Sequence, residues 1–188
     1  VSDHLGIPHV DVGHLLREAE RREDVLGGMI RKTIDAGKLL PDKIVNKIVA
    51  ERLACADVRG GFVLDGYPRT LAEAEFLDGV VELDAVVVLE VSDIIALRRL
   101  SARLMCPVDG RVYGPGVPPK KQGVCDSHNV KLVTRPDDTP EAIKRRLELY
   151  HEETEPLLEY YKPRGLVLRI DADRTPGEVV ADVLDKLG

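Results

Sequence analysis

The chain has 188 residues, of which 27 are Lys or Arg and 33 are Asp or Glu, giving a net charge of −6. This acidic balance argues against a general nucleic-acid-binding protein, since such modules usually carry a net positive charge. Nothing resembles a transmembrane helix or a secretory signal, and three cysteines are too few for a disulfide scaffold. We therefore expect a cytoplasmic protein without a membrane partner.

Short apolar runs alternate with helical patterns along the chain. The runs predicted as buried strands cover residues 8–12, 62–64, 85–91 and 166–170. The run at 85–91 is continuous, which is typical of a strand covered on both faces. One helical pattern follows Thr139, an N-cap candidate before Pro140, and a last helix is predicted to start at Thr175-Pro176. This alternation predicts an α/β protein with a parallel sheet.

Residues 105–135 interrupt the alternation. They are rich in Gly and Pro and contain two short β-like pieces, at 111–113 and 131–134. We predict a small β subdomain inserted between two parts of an α/β core, residues 1–104 and residues 136–188.

Two knuckle-like pairs lie inside this insertion. Cys106 and Asp109 have the spacing C-x₂-D, Cys125 and His128 have the spacing C-x₂-H, and 15 residues separate the pairs. Two thiolates, a carboxylate and an imidazole could hold a tetrahedral Zn²⁺. The alternative is a metal-free insertion in which the same side chains hydrogen-bond to one another. A zinc-ribbon interaction module is a further alternative, but it explains none of the arginines outside the insertion.

The motif that follows the strand at 62–64 is typical of a ligand-binding turn. It runs Asp65-Gly66-Tyr67-Pro68-Arg69-Thr70. Ligands of open α/β sheets bind at the carboxyl ends of strands. There a carboxylate can hold Mg²⁺ through water, glycine allows close approach to the backbone, and arginine offers a planar fork to a phosphate. The alternative is an ordinary strand-to-helix turn.

Arginines collect near both ends of the insertion. Arg99 and Arg103 share one helical face just before it, Arg135 lies at its end, and Arg146 lies on the helix that follows. An acidic protein with arginines concentrated in this way is predicted to bind a polyphosphate, because phosphoryl transfer depends on positioning and charge stabilisation. The alternative is a set of solvated ion pairs with the nearby acidic residues.

Taken together, these motifs resemble the adenylate kinase family in its long form with an inserted lid. The segments that carry the resemblance are Gly6-Ile7-Pro8, Val12 to Arg17, Asp35 to Leu39, Asp65 to Thr70, Arg99 to Arg103, Gly110 to Tyr113, and Arg135 to Asp138 running into Arg146. The resemblance implies the parallel-sheet P-loop fold of nucleoside monophosphate kinases. It also implies Mg²⁺-dependent transfer of the terminal phosphoryl group of ATP to AMP, giving two ADP.

The resemblance further assigns site residues. A helical part at about residues 12–41 and the turn after the second strand would form the AMP pocket. Its residues would be Val12, Gly13, Arg17, Lys38, Leu39, Leu40, Gly66, Tyr67, Pro68, Arg69 and Glu73, with Arg135 and Arg146. The ATP side would include Arg99, Arg103, Val112, Tyr113 and Arg174. The migrating phosphoryl group would be surrounded by Arg69, Arg103, Arg135 and Arg146, with Asp65 holding the Mg²⁺ water shell. Residues 106–128 would form the lid, whose closure excludes water.

Two departures from the family pattern bear on the choice of base. Val12 stands where the family usually has Thr, and Glu73 where it usually has Gln. A glutamine both donates and accepts hydrogen bonds, whereas a carboxylate only accepts, and one lost hydrogen bond is worth about 1 kcal/mol. A pyrimidine nucleoside monophosphate kinase is therefore an alternative.

A third departure concerns the phosphate-binding loop, G-x-x-x-x-G-K-S/T, which the 188 residues do not contain. The chain begins at Val1, and the family's loop would follow a central strand placed between those at 62–64 and 85–91. We expect strand and loop to be encoded upstream, and the 188 residues alone to be nearly inactive. A catalytically inactive nucleotide-binding protein is thus another alternative. In each case we expect a monomer with small-molecule partners and no nucleic acid.

Overall fold

The computed structural model describes residues 1–23, 25–35, 38 and 40–188. The helices are α1 (Ser2–Leu5), α2 (Val12–Glu20), α3 (Val25–Asp35), α4 (Asp42–Leu53), α5 (Leu71–Asp78), α6 (Asp93–Ser101), α7 (Pro140–Leu149), α8 (Leu157–Tyr161) and α9 (Pro176–Leu187). The strands are β1 (His9–Asp11), β2 (Val63–Asp65), β3 (Val86–Glu90), β4 (Leu104–Met105), β5 (Val112–Tyr113) and β6 (Val167–Asp171). Among the described residues, no helix combines the length and apolar character needed to cross a membrane.

The four longer strands confirm the predicted parallel α/β arrangement. β1 pairs with β2 and β3 pairs with β6, in both cases parallel. Their bounds differ by one residue at each end from the predicted runs. In the first pair Asp11 lies opposite Asp65, so both carboxylates mark the same carboxyl edge.

The described residues alone do not cover β3 on both faces, so the predicted coverage stays a prediction. Val87 is 38% exposed and Leu89 is 51% exposed, and both line a cleft that also borders β2. An apolar run shows that a strand is suited to burial, but it cannot show which neighbours cover each face. The expectation of a further strand between these two pairs stays a prediction.

Helices α2 to α5 enclose the larger of two core clusters beside the cleft. It contains Val12, Ile30, Leu40, Val45, Val49, Tyr67 and Leu77, all nearly inaccessible to solvent. A second cluster joins Ala74 of α5 to Leu157 and Tyr161 of α8. Full burial of one such large side chain contributes about 1.5–3 kcal/mol, so these clusters hold in place the helices that carry the predicted pocket.

The long helix predicted after Thr139 is divided in two. Thr139 caps α7 as expected, since its hydroxyl accepts a hydrogen bond from the N–H of Ala142. A π-helical turn at Tyr150–Thr154 then separates α7 from α8, and Glu155 N–H donates to the carbonyl of Tyr150. Such a turn adds one residue to the repeat and rotates the later side chains. Ile143 of α7 and Leu157 and Tyr161 of α8 are nevertheless buried, whereas Tyr150 is 39% exposed.

The insertion is a small antiparallel unit with its own core. β4 pairs with β5, and Met105 forms a β-bridge with Val133 at the base. The predicted piece at 131–134 contributes only isolated bridges. Cys106, Tyr113, Cys125 and Leu132 are buried together. This core therefore contains two thiols and a phenol beside its one aliphatic side chain.

Candidate active site and metal cluster

The described residues leave an opening between the two parallel strand pairs, where the further strand is predicted, and this opening continues as a cleft to the base of the insertion. Many of the predicted site residues line it. They are Gly13, Arg17, Lys38, Asp65, Gly66, Tyr67, Pro68, Arg69, Arg103, Val112, Arg135 and Arg146. The folding of the chain thus brings the 65–70 motif and the arginines at both ends of the insertion to one cleft, as Sequence analysis predicts.

The turn after β2 positions two of these groups. The carboxylate of Asp65 is exposed and lies 3.1 Å from Nε2 of His9. Gly66 has a φ of +75°, a backbone conformation that residues with a side chain rarely adopt. Its carbonyl accepts a 2.7 Å hydrogen bond from Nε of Arg69. The Tyr67–Pro68 peptide is cis. The guanidinium of Arg69 is therefore folded back over the turn and held at the cleft.

The same turn also starts a helix. Thr70 caps α5 by accepting a hydrogen bond from the N–H of Glu73. The two interpretations of this motif are therefore compatible, because one segment ends a strand, presents Arg69 and begins α5.

A buried carboxylate organises two of the arginines. Arg103 donates two hydrogen bonds to Asp138, one of them Nε to Oδ2 at 2.8 Å. Nη1 of Arg146 lies 3.4 Å from Oδ1 of Asp138 and 3.7 Å from Oδ2 of Asp137. The side chain of Asp138 is completely buried. The ion pairs considered as an alternative thus exist at Asp138, but the carboxylate is enclosed rather than solvated.

Two other arginines have no such partner. Within the described part of the chain, no acidic side chain lies at ion-pair distance from Arg69 or Arg135. Nε of Arg135 instead faces Sδ of Met105 at 3.4 Å. Burial, and then the positive charges of Arg103 and Arg17, lower the pKa of Arg135. An anion entering the cleft would relieve this crowding of positive charge.

Arg146 is in a similar environment. Burial lowers its pKa first and the charge of Arg103 lowers it further, although Asp137 and Asp138 act in the opposite direction. Arg17 lies 3.6 Å from Asp11, an ion pair that is only partly shielded from water. The cleft therefore combines arginines that are already paired with arginines that are available to a ligand.

Three residues predicted for the AMP pocket are buried away from the lining of this cleft. Val12 and Leu40 belong to the helical core cluster. Glu73 is 4% exposed, and its Oε2 accepts a 2.7 Å hydrogen bond from the N–H of Arg69. Burial is the main reason that the pKa of Glu73 is raised. Leu39 lies outside the described residues.

Three residues predicted for the ATP side also lie outside that lining. Arg99 donates hydrogen bonds to the carbonyls of Ala172 and Arg174, at 2.7 and 3.3 Å. Arg174 is paired with Asp182, which raises the pKa of Arg174. Tyr113 is 2% exposed and lies in the core of the insertion. The predicted contacts of these three residues with ATP stay predictions.

The knuckle residues converge as their spacing predicts. One ligand atom from each of Cys106, Asp109, Cys125 and His128 lies within 4.8 Å of all the others. Nδ1 of His128 is 3.5 and 3.7 Å from the two sulfur atoms and 3.6 Å from Oδ2 of Asp109. Both cysteines are buried and unbridged. Two sulfurs, one carboxylate oxygen and one imidazole nitrogen at these separations fit a tetrahedral Zn²⁺.

The environment of this cluster favours charged ligands at two positions. A hydrogen bond from Tyr113, the largest influence, lowers the pKa of Cys125 to about 6. The N–H of Arg111 is the main group that lowers the pKa of Asp109. Burial, by contrast, raises the pKa of Cys106. Thiolate and carboxylate are the forms that ligate a metal.

Sequence reasoning did not find two contacts at these sites, the burial of Asp138 between two arginines and the hydroxyl of Tyr113 beside Cys125. The only signal for the first is the pair of acids directly after Arg135. No spacing rule indicates the second, because residues 12 apart on different hairpins carry no periodic relation.

A cleft at the carboxyl ends of parallel strands, with converging arginines and an exposed aspartate, is typical of α/β proteins that bind a polyphosphate. A family model described as adenylate kinase matches residues 1–166. Among relatives, the adenylate kinase of Thermotoga maritima is 42% identical, over 97% of this chain and 86% of its own length. The adenylate kinase of Caldicellulosiruptor saccharolyticus is 41% identical, over 100% of this chain and 90% of its own length. The chain belongs to the adenylate kinase family and is a phosphotransferase.

Proposed function

We propose that the chain transfers the terminal phosphoryl group of ATP to AMP, reversibly and with Mg²⁺, giving two ADP. Membership of the adenylate kinase family supports this activity. The observation that carries the assignment of the site is the pair Arg69 and Arg135, which line the cleft without an acidic partner among the described residues. Unpaired guanidinium groups beside paired ones are suited to a polyphosphate with several negative charges.

The four arginines of the cleft have two different roles in binding. Arg69 and Arg135 are free to contact phosphate oxygens directly, while Arg103 and Arg146 are oriented by Asp138. All four would surround the migrating phosphoryl group and offset the charge that develops there. Asp65, an exposed carboxylate at the end of β2, has the oxygen donors that Mg²⁺ prefers and would hold the ion through water. The ion supplies neutralisation of phosphate charge when bound.

The AMP and ATP subsites follow from the same assignment. Gly13, Arg17, Lys38 and the 66–69 turn would contact AMP, with Val12, Leu39, Leu40 and Glu73 behind them, and Val112 would face ATP. The core would comprise residues 1–104 and 136–188, with residues 105–135 as the lid. Gly116 supports contact between lid and core, since a Cβ there would lie 3.2 Å from Cγ of Pro176 at the start of α9. Closure of such a lid excludes water from the reaction.

We also propose that the lid holds one structural Zn²⁺ at Cys106, Asp109, Cys125 and His128. The convergence of the four ligand atoms supports it. Metal analysis of protein purified without chelator tests it, with about one equivalent of zinc expected. Less than about a tenth of an equivalent would favour the hydrogen-bonded, metal-free insertion.

The activity is tested on the full-length protein produced from its gene, by a coupled assay of ADP formation with AMP, CMP and UMP as acceptors. We expect kcat/KM to be highest with AMP. Activity with CMP or UMP but not with AMP would contradict AMP as the acceptor and support a pyrimidine nucleoside monophosphate kinase. Stabilisation by nucleotide without any turnover would support a binding protein and contradict the enzyme. A cytoplasmic location, a monomeric state and the lack of nucleic-acid or membrane partners stay predictions.

A further inference from the structure

The phenol of Tyr113 lies inside the knuckle cluster rather than at its surface. Tyr113 is on β5, is 2% exposed, and packs with Cys106, Cys125 and Leu132. Its hydroxyl oxygen is 3.5 Å from Sγ of Cys125. The same oxygen accepts a 3.0 Å hydrogen bond from the N–H of Asp126. This phenol therefore contacts one of the candidate ligands directly.

The direction of the bond to sulfur depends on the protonation state of Cys125. The backbone N–H of Asp126 donates to the phenol oxygen, whose hydroxyl hydrogen stays available for Sγ of Cys125. A thiolate, the form that ligates a metal, has no hydrogen to donate. In that form Tyr113 is the donor and the sulfur of Cys125 is the acceptor.

The two sulfurs of the cluster differ because of this contact. Each sulfur accepts from two backbone N–H groups that follow it in the chain. Those of Val108 and Asp109 donate to Cys106, and those of Ser127 and His128 donate to Cys125. Within the described residues, a hydroxyl donor is added only at Cys125.

We propose that Tyr113 is a positioning residue for the metal, whose hydroxyl donates to the Cys125 thiolate and fixes that sulfur in the coordination geometry. The inference rests on the proposed zinc site. Two thiolates and the carboxylate of Asp109 carry three negative charges against two positive charges on Zn²⁺. A hydrogen-bond donor beside one thiolate offsets part of the surplus and orients the ligand.

The test is Tyr113→Phe, which keeps the buried ring and removes only the hydroxyl. Zinc affinity is measured by competition with a chromophoric chelator, and we expect it to weaken 10- to 100-fold. In Co²⁺-substituted protein, loss of the hydrogen bond raises the energy of the sulfur lone pair. The thiolate-to-cobalt charge-transfer band should therefore move to longer wavelength. Tyr160→Phe is the matched control, because its hydroxyl donates to Asp78 outside the insertion.

A second variant retains the shape of the site entirely. Replacing Tyr113 by 3-fluorotyrosine makes the hydroxyl a stronger donor, and the cobalt band should move to shorter wavelength. Bands and affinities equal to those of the wild type in both variants would overturn the inference and leave the zinc site intact. A wild-type protein that binds neither Zn²⁺ nor Co²⁺ would overturn the zinc site and this inference together.

Discussion

Asp138 accepts two hydrogen bonds from the guanidinium of Arg103, and its carboxylate is completely buried. Arg103 directly precedes the insertion and Asp138 closely follows it, so one ion pair joins its two ends. Removing the charge from one member of a buried pair leaves the other uncompensated, which costs about 3–5 kcal/mol. Asp138→Asn should lower the free energy of unfolding by about that amount, as measured in urea.

Asp137→Asn is the control for this prediction. Asp137 lies 3.7 Å from Arg146 and is partly accessible, so its loss should cost less than about 1 kcal/mol. Equal effects of the two variants would show that Asp138 is no more important to stability than its neighbour.

Arg135→Ala should impair activity more than stability. Arg135 contacts no carboxylate within the described residues and is crowded by Arg103, so its removal relieves repulsion in the folded protein. Loss of one charged donor at a reacting phosphoryl group typically costs about 10²–10³ in kcat. Steady-state assays and thermal melting measure the two effects. Arg145→Ala, on the exposed face of α7, is the control and should leave kcat and melting temperature nearly unchanged. A lower melting temperature without a loss of kcat in Arg135→Ala would contradict a role of Arg135 at the phosphoryl group.

Metal removal should destabilise the insertion. If the cluster holds Zn²⁺, a chelator will lower the melting temperature of the wild type, because metal binding favours the folded state. Cys125→Ser should abolish this response, since it removes a buried ligand. Cys55→Ser should keep it, because Cys55 is exposed and outside the cluster. A chelator effect that persists in Cys125→Ser would place the metal elsewhere.

Glu73→Gln should stabilise the protein near pH 7. The raised pKa of Glu73 means that folding favours the protonated acid, so its contribution is complete below about 4.5 and is lost as pH rises through the folded-state value. Glutamine is neutral at every pH and can still accept from the N–H of Arg69. We expect the variant to be more stable than the wild type at pH 7 and equally stable at pH 4. Glu75→Gln, exposed on the same helix, controls for charge, and equal pH profiles of wild type and Glu73→Gln would refute the prediction.

His151 should make stability depend on pH in the neutral range. Its Nδ1 lies 2.8 Å from Oε2 of Glu155 and its Nε2 lies 3.1 Å from Oδ1 of Asp93, and these carboxylates raise its pKa. The stabilisation is complete below about 6.5 and is lost as pH rises through the folded-state value. The effect is small because the side chain is half exposed. Melting temperatures from pH 6 to 9 should fall less in His151→Gln than in wild type, with His4→Gln as control.

The sequence is most informative where local chemistry decides the structure. Thr139 is predicted as a cap and caps α7, since capping depends on neighbours three residues away. The last helix begins at Thr175-Pro176 as predicted. Within each knuckle the two candidate ligands lie close together for the same reason, whereas the approach of the two knuckles depends on how the insertion folds. The approach of the 65–70 motif to the arginines could be expected only from strand order and from the family resemblance.

The remaining features depend on contacts between distant segments. Whether each face of β3 is covered depends on which elements pack against it, and no pattern within residues 85–91 indicates those elements. The π-turn at Tyr150–Thr154 changes the helical phase without a proline or glycine inside it. The burial of Glu73 follows from its bond to the backbone of Arg69, whereas the residue type alone indicates a solvent-facing acid.

The bridge between Met105 and Val133 has a consequence for which insertions the core can carry. Two backbone hydrogen bonds, of 2.8 and 2.9 Å, join these residues and bring both ends of the insertion together. The core is therefore joined to the insertion by two adjacent chain segments, whatever the length of the chain between them. An insertion of another length, or with other ligands in its knuckles, can be joined at the same two segments without a change in the residues of the catalytic cleft.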